Sequence, residues 1–200
     1  MAAMIKLGLT GSMATGKSTV AGMFAKRGIP IYNADKVVHE LYQKEAVAPV
    51  GAKFPKAVID GKIDRAVLAS QVLDNKENLA QLEALVHPMV HQKMAEFIEV
   101  HKQAEQSLVV LEIPLLFETG KDYPLDKIAV TFCDDQIQKQ RALTRDGMTP
   151  KKFAAIKARQ MSQHDKKQRA DFLIDTGLLP ETTQQIVDEI IQTCRQLAIG

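Results

Sequence analysis

Gly11, Gly16, Lys17 and Ser18 stand at the spacing G-x-x-x-x-G-K-[ST], a pattern that holds polyphosphate. Its glycines let successive backbone N–H groups curl round an anion, and a helix starting just beyond adds partial positive charge. The candidate nucleotide contacts are the run Gly11, Ser12, Met13, Ala14, Thr15, Gly16, Lys17, Ser18 and Thr19. Within it the Lys17 ammonium can reach β- and γ-phosphates, and the Ser18 hydroxyl can ligate Mg²⁺.

Phosphoryl transfer to an acceptor also needs a proton acceptor, an acidic group near the metal, and cations for the transferring group. Asp35 follows the short apolar run Ile29-Pro-Ile-Tyr32 and suits the first role. It equally suits the N-cap of the next helix, and the two are not exclusive. Glu112 lies near the end of Ser107-Leu-Val-Val-Leu-Glu-Ile-Pro114. It reads as a carboxylate facing Mg²⁺ through water, or as a solvated strand end.

Arg141 and Arg145 are four apart, the spacing of one helix face, and guanidinium groups suit bidentate phosphate contact. They lie in a basic stretch, residues 139–169, with ten Lys/Arg against two Asp. This stretch reads as an arginine-bearing lid, with Arg145 assisting catalysis and Arg141 touching the nucleotide. Arg159 and the group Lys166, Lys167 and Arg169 lie further along it, and most of its lysines read as a solvated face. A nucleic-acid patch is a third reading, opposed by the near absence of interleaved aromatics.

The elements that must position these groups follow from periodicity. Met4–Leu9 reads as a strand, Lys17–Arg27 as a helix with Gly28 as its C′ residue, and Ile29–Tyr32 as a second strand. That is a βαβ unit, so the strands should be parallel. The segment from Lys36 to Gln106 reads as mostly helical, with Pro88 ending one helix and opening another. Phe54–Arg65 carries turn signals rather than a strand pair, so this lobe is expected to add no strand to the sheet. Ser107–Pro114 and Leu125–Cys133 are the next strands. Thr149-Pro150 restarts a helix, Asp171–Ile174 is a last short strand, and Pro180–Ala198 is an amphipathic closing helix. Its buried side comprises Ile186, Val187, Ile190, Ile191, Cys194 and Leu197.

The 200 residues, 46% of them hydrophobic and 25% charged, suit one soluble globular domain or a core with an inserted lobe. The net charge of +2 gives no general signal for nucleic acid. Cys133 and Cys194 read as small buried hydrophobes in a reduced cytosol. No apolar run reaches a membrane span of ~20 residues. Guanine specificity is disfavoured, because the nearest string to Asn-Lys-x-Asp is Asn75-Lys-Glu-Asn78, which lacks the acid. The helical cap and arginine-rich stretch favour a kinase of a small acceptor.

The residues resemble the dephospho-CoA kinase family. The likeness rests on Gly8-Leu-Thr-Gly11 with Gly16-Lys-Ser-Thr-Val20, Gly28-Ile-Pro with Ala34-Asp35, and Asp60-Gly-Lys-Ile-Asp-Arg65. It continues through Leu82-Glu, Val86-His-Pro88, Ile113-Pro-Leu-Leu-Phe-Glu118, Gln140-Arg141, Arg145-Asp146, Arg159-Gln160 and Ala170-Asp171. The resemblance implies transfer of the ATP γ-phosphate to the ribose 3′-hydroxyl of dephospho-CoA, the last step of coenzyme A biosynthesis. It implies an α/β fold of the P-loop nucleotide-kinase type, three layers (α/β/α) round a parallel sheet. One kinase domain over 1–200 is expected, with a core of 1–35 and 106–200, a helical acceptor-binding lobe at about 36–105, and a helical lid at about 140–170. It strengthens Asp35 as base, with Lys17 and Arg145, and supports Arg141. ATP and Mg²⁺, the latter on Ser18 and Glu112, are the expected cofactors. A cytoplasmic monomer without nucleic-acid or membrane partners is expected.

Three departures stand out. Asn33 occupies a position where the family has Asp, Ser12 and Ala14 replace loop glycines, and Ile174-Asp-Thr-Gly177 is shorter than the Asn-containing form. The alternatives are another nucleoside or nucleotide kinase and a nucleotide-dependent regulatory switch.

Overall fold

The computed structural model describes residues 3–199. Its chain begins with β1 (Ile5–Gly11), α1 (Lys17–Lys26) and β2 (Ile31–Asn33). Helices α2 (Ala34–Leu41) and α3 (Val47–Lys53) follow, then β3 (Val58–Ile59), β4 (Lys62–Ile63), α4 (Arg65–Val72) and α5 (Lys76–Gln103). The remainder is β5 (Leu108–Glu112), β6 (Lys127–Phe132), α6 (Asp135–Leu143), α7 (Pro150–Arg159), α8 (Gln163–Gln168), β7 (Phe172–Asp175) and α9 (Pro180–Leu197).

Five strands form the main sheet in the order β2-β5-β1-β6-β7. The β1–β5, β1–β6 and β6–β7 pairs are all parallel. Central β1 reads Ile-Lys-Leu-Gly-Leu-Thr-Gly and is buried along nearly its whole length. That continuous burial belongs to a strand covered on both faces. On one face Leu7, Leu9, Leu108, Val110, Ala129 and Ile174 pack with Val20 and Phe24 of α1 and with Val187, Ile190 and Cys194 of α9. Strand alternation turns Phe132 to the face opposite Ala129, and there Lys167 of α8 lies over its ring, 4.6 Å from the centroid. Helices thus cover both faces, giving three layers.

Several local rules end these elements where the sequence signals. Gly28 takes a left-handed φ of 77° just past α1, and its N–H donates to the Ala25 carbonyl. Thr149 caps α7, its hydroxyl accepting from Lys152 N at 3.2 Å, with Pro150 in the first turn.

Three expectations are corrected. Pro88 lies inside the single 28-residue helix α5 instead of opening a new one. The Pro88 nitrogen cannot donate to the Ala84 carbonyl, yet Leu82, Val86, Val90 and Met94 stay buried along one stripe through it. That continuous stripe outweighs one missing hydrogen bond. Residues 58–63 do form a strand pair, the antiparallel hairpin β3–β4, which stays separate from the main sheet. Its turn residues Asp60 and Gly61 both have positive φ. Leu197, finally, is 46% exposed, because α9's buried side ends at Cys194 and Ala198.

Two compact units share the chain. One comprises residues up to Tyr32 and from His101 onward, and the other comprises Asn33–Val100. The second has its own core, with Leu41, Tyr42, Val50, Phe54, Leu68 and Val86 at its centre.

Candidate active site

The glycine-rich loop leaves the carboxyl end of β1, which has β5 on one side and β6 on the other. Crevices at this strand end are where open α/β sheets bind ligands. A Cβ on Gly11 would meet the Thr131 side chain and lie 2.8 Å from the Thr131 carbonyl oxygen, so only glycine allows β1 to run this close to β6. Gly16 stands at φ 80° immediately before α1. Inside the loop, Thr15 is wholly buried, with its hydroxyl 2.8 Å from the Ser12 carbonyl and 2.9 Å from the Thr131 hydroxyl.

Of the two non-glycine loop positions, Ala14 needs a left-handed backbone, at φ 62°. Ser12 is not among the described residues with positive φ. An L-residue held left-handed costs roughly 1–2 kcal/mol. Two features offset that cost. The Ala14 methyl is buried against Ala142 and Phe153, with Met13 and Met148 packed round them. The neighbouring Met13 accepts from Gln138 Nε2 at 2.8 Å through its carbonyl and donates its N–H to Gln160 Oε1 at 2.9 Å.

Beneath the loop, Lys17 Nζ lies 2.7 Å from Glu112 Oε1, and Ser18 Oγ is 3.4 Å from the same oxygen. Glu112 ends β5 and is only 2% exposed. The solvated strand end is therefore excluded; this carboxylate is buried against a cation and a hydroxyl. A hard divalent cation favours such oxygen donors, and Mg²⁺ in kinases takes few protein ligands because phosphates and waters supply the rest. Ser18 and Glu112 fit that limited role. Among the described residues no group of three or more His, Cys, Asp or Glu forms a self-sufficient metal cage.

On the outer side of the loop is a cavity of about 320 Å³, lined among others by Gly16, Thr19, Met23, Arg141, Arg145 and Thr176. Arg141 is fixed there, donating to the Thr176 hydroxyl at 3.0 Å and to the Thr176 carbonyl at 2.7 Å. The Thr176 hydroxyl in turn donates to the Thr15 carbonyl at 2.9 Å. Arg141 and Arg145 do not share a helix face as expected, because α6 ends at Leu143 and Thr144 is its C-cap. The turn after the helix nevertheless brings Arg145 to the same cavity wall.

Asp35 begins differently from one of its two sequence readings. Asn33 is the N-cap of α2, its side chain accepting from Lys36 N at 2.8 Å. Asp35 sits in the first turn with an exposed side chain. Asn33 thus takes the capping role, leaving the Asp35 carboxylate outside it.

Sequence reading missed four contributors. Thr176 lies in the short Ile174–Gly177 string, which marks a departure from the family form but gives no sign that Thr176 braces an arginine. Gln138 sits on a polar helix without a motif. Gln160 and Glu118 stood within the family strings, but no chemistry was attached to them. Lys166 is a correction in the opposite sense, since it is wholly buried and not part of a solvated face. Its ammonium lies 2.8 Å from Glu118 Oε1.

A three-layer α/β/α fold, a glycine-rich phosphate loop at its central strand and an arginine-lined cavity beside it define a phosphate-loop kinase. Among known proteins, the family model described as dephospho-CoA kinase matches residues 5–181. A dephospho-CoA kinase of Rhizobium meliloti (strain 1021) is 46% identical over 192 residues, covering 96% of this chain and 99% of its own. A crystal structure of a Thermus thermophilus protein superposes with a TM-score of 0.84 at 29% identity, covering 96% of this chain and 97% of its own. The dephospho-CoA kinase of Campylobacter jejuni gives 0.72 at 27% identity over the same shares of both chains. The chain belongs to the dephospho-CoA kinase family.

Proposed function

We propose that this chain transfers the ATP γ-phosphoryl group to the ribose 3′-hydroxyl of dephospho-CoA with Asp35 as general base. The observation that carries the site is the meeting of Lys17, Ser18 and Glu112 beneath the glycine loop, beside a cavity walled by Arg141 and Arg145. Loop N–H groups and the α1 N-terminus hold the polyphosphate. Lys17 leaves Glu112 for the β- and γ-phosphates, and Arg145 stabilises charge on the transferring group. Arg141, braced by Thr176, orients the nucleotide. Asp35 takes the acceptor's proton as its oxygen attacks the γ-phosphorus; the bond from that phosphorus to the β,γ-bridging oxygen breaks, ADP leaves, the hydroxyl becomes a phosphate ester and the proton ends on the carboxylate.

Mg²⁺, held through Ser18 and Glu112, would supply charge neutralisation on the phosphates when bound. The helical unit is read as the acceptor-binding lobe and α6–α8 as the lid. The chain is read as a monomer of the cytoplasm. Among the described residues, no helix is long and apolar enough to cross a membrane.

Acceptor-dependent ATP consumption tests the reading, with dephospho-CoA run beside adenosine and AMP. Turnover stimulated by dephospho-CoA alone is expected. Stimulation by AMP or adenosine instead would replace it with the nucleotide- or nucleoside-kinase reading. Slow hydrolysis indifferent to all three would point to a switch.

A further inference from the structure

The strongest unexplained feature outside the reacting groups is the buried ion pair of Glu118 and Lys166. Lys166 is wholly buried, and its Nζ lies 2.8 Å from Glu118 Oε1. The Glu118 side chain is 14% exposed. Its Oε2 and the Lys166 Nζ are both buried without a hydrogen-bond partner among the described residues, so the two side chains are held by charge at short distance through Oε1 rather than by an aligned hydrogen bond. That same oxygen accepts the backbone N–H of Met161 at 3.0 Å. A buried ion pair is a poor device for stability alone, since apolar residues of similar volume often do as well. What this one fixes is a place in the backbone.

That place adjoins the phosphate loop. Helix α7 ends at Arg159, and Gln160 turns extended at its C-cap. The Gln160 side chain accepts the Met13 N–H, and Gln138 donates to the Met13 carbonyl. Gln163 ties into the same set, donating to Gln138 Oε1 at 3.3 Å and accepting Cys133 N at 3.1 Å. Each bond sets one peptide plane. Gln160 orients the Ser12–Met13 peptide, while Gln138 orients the Met13–Ala14 peptide and hence the direction of the Ala14 N–H. Ala14 is the loop's left-handed residue.

We propose that Glu118, fixed by Lys166, is a positioning residue for nucleotide binding: it anchors Met161 so that Gln160 holds the Met13 peptide, and with it the phosphate-binding N–H groups, in register. The proposal rests on the reading of Gly11–Thr19 as the phosphate loop. Neither Glu118 nor Gln160 touches the reacting atoms, so their removal misplaces the loop without removing chemistry.

Steady-state kinetics of E118M, Q160A, the E118M/Q160A double variant and E118Q/K166M test it, with thermal melts alongside. Q160A and E118M are each expected to raise KM for ATP about tenfold while kcat changes by less than about threefold, a smaller loss than the roughly 10²-fold that a 1 Å misplacement can cost. Because both act through one contact, the double variant should be no worse than the more affected single variant. E118Q/K166M keeps an acceptor for Met161 N without burying a charge, and should recover most of the loss. An unchanged KM for ATP in Q160A overturns the proposal, even where E118M folds poorly. So do effects that multiply in the double variant, or a failure of E118Q/K166M to improve on E118M while melting like wild type. K17A separates the underlying reading: retained phosphoryl transfer there sinks the phosphate-loop assignment, whereas loss in K17A with normal KM in Q160A sinks this proposal alone.

Discussion

Individual side chains divide here into those proposed to react and those that fix backbone. Asp35→Asn keeps size and loses basicity, so kcat should fall by a factor on the order of 10²–10⁴. ATP affinity should stay within about twofold, because the amide removes only the proton acceptor. Turnover and equilibrium nucleotide binding measured on the same preparation check both halves. Near-native turnover would remove Asp35 from its role. Lys17→Ala removes the cation proposed to face the phosphates and leaves buried Glu112 without its 2.7 Å partner. A fall in kcat/KM of about 10²-fold or more is expected, comparable to losing one electrostatic stabiliser. Ala14 tolerates φ 62° because a methyl is small. A β-branched side chain there is a steric outlier, so Ala14→Val should lower stability by more than about 1 kcal/mol and weaken ATP binding. A denaturant titration and a nucleotide titration would show it.

Among the elements, α5 carries its own test in Pro88. The helix runs unbroken because its buried stripe spans the proline, so the missing Pro88 N–H is a net cost. Pro88→Ala restores that donor and should stabilise the protein by about 1–3 kcal/mol. A lower midpoint in urea would mean that the ring packs in a way alanine cannot replace. The junction of α1 and α9 responds to pH. Arg27 donates to Asp188 at 2.8 and 2.7 Å and holds that carboxyl below its usual range, chiefly through hydrogen bonding. The folded value is the lower one. The contribution is therefore complete above the unfolded Asp value, about 3.9, and is lost as pH falls through the folded value. Asp188→Asn should flatten the decline of Tm between pH 5 and 3, and an unchanged slope would show that the exposed pair contributes nothing there.

At the scale of the molecule, the helical unit has a core of its own, so damage there is local in origin. Leu68, 3% exposed, belongs to the core of the helical unit. Leu68→Ala should cost about 2–5 kcal/mol through lost burial and a residual cavity, read from urea unfolding. Both cysteines are buried and free, and burial pushes the Cys194 thiol up to about 11. A thiol reagent at pH 8 should leave Cys194 unlabelled until the chain unfolds. Labelling at a rate matching free thiol would contradict the packing of α9.

The local sequence determined most of the elements and the core of the site, because those rest on short-range rules. Glycine spacing specified the loop, Gly28 and Thr149-Pro150 specified helix ends, and apolar runs specified β1, β5 and β6. Pro88 and the β3–β4 hairpin escaped that reading, since buried neighbours outweigh a local breaker and a two-residue strand has no period. The tertiary structure decided the partnerships. Glu112 meets Lys17 across 95 residues, Met13 meets Gln160 across 147, and Thr176 meets Thr15 across 161. It also decided that Asn33 caps α2 and that Lys166 is buried against Glu118 while its neighbour Lys167 covers Phe132. A motif fixes which groups a loop offers, because its backbone preferences are local. Which distant side chain satisfies each of those groups depends on strand order and packing, which place residues from opposite ends of the chain at one sheet edge.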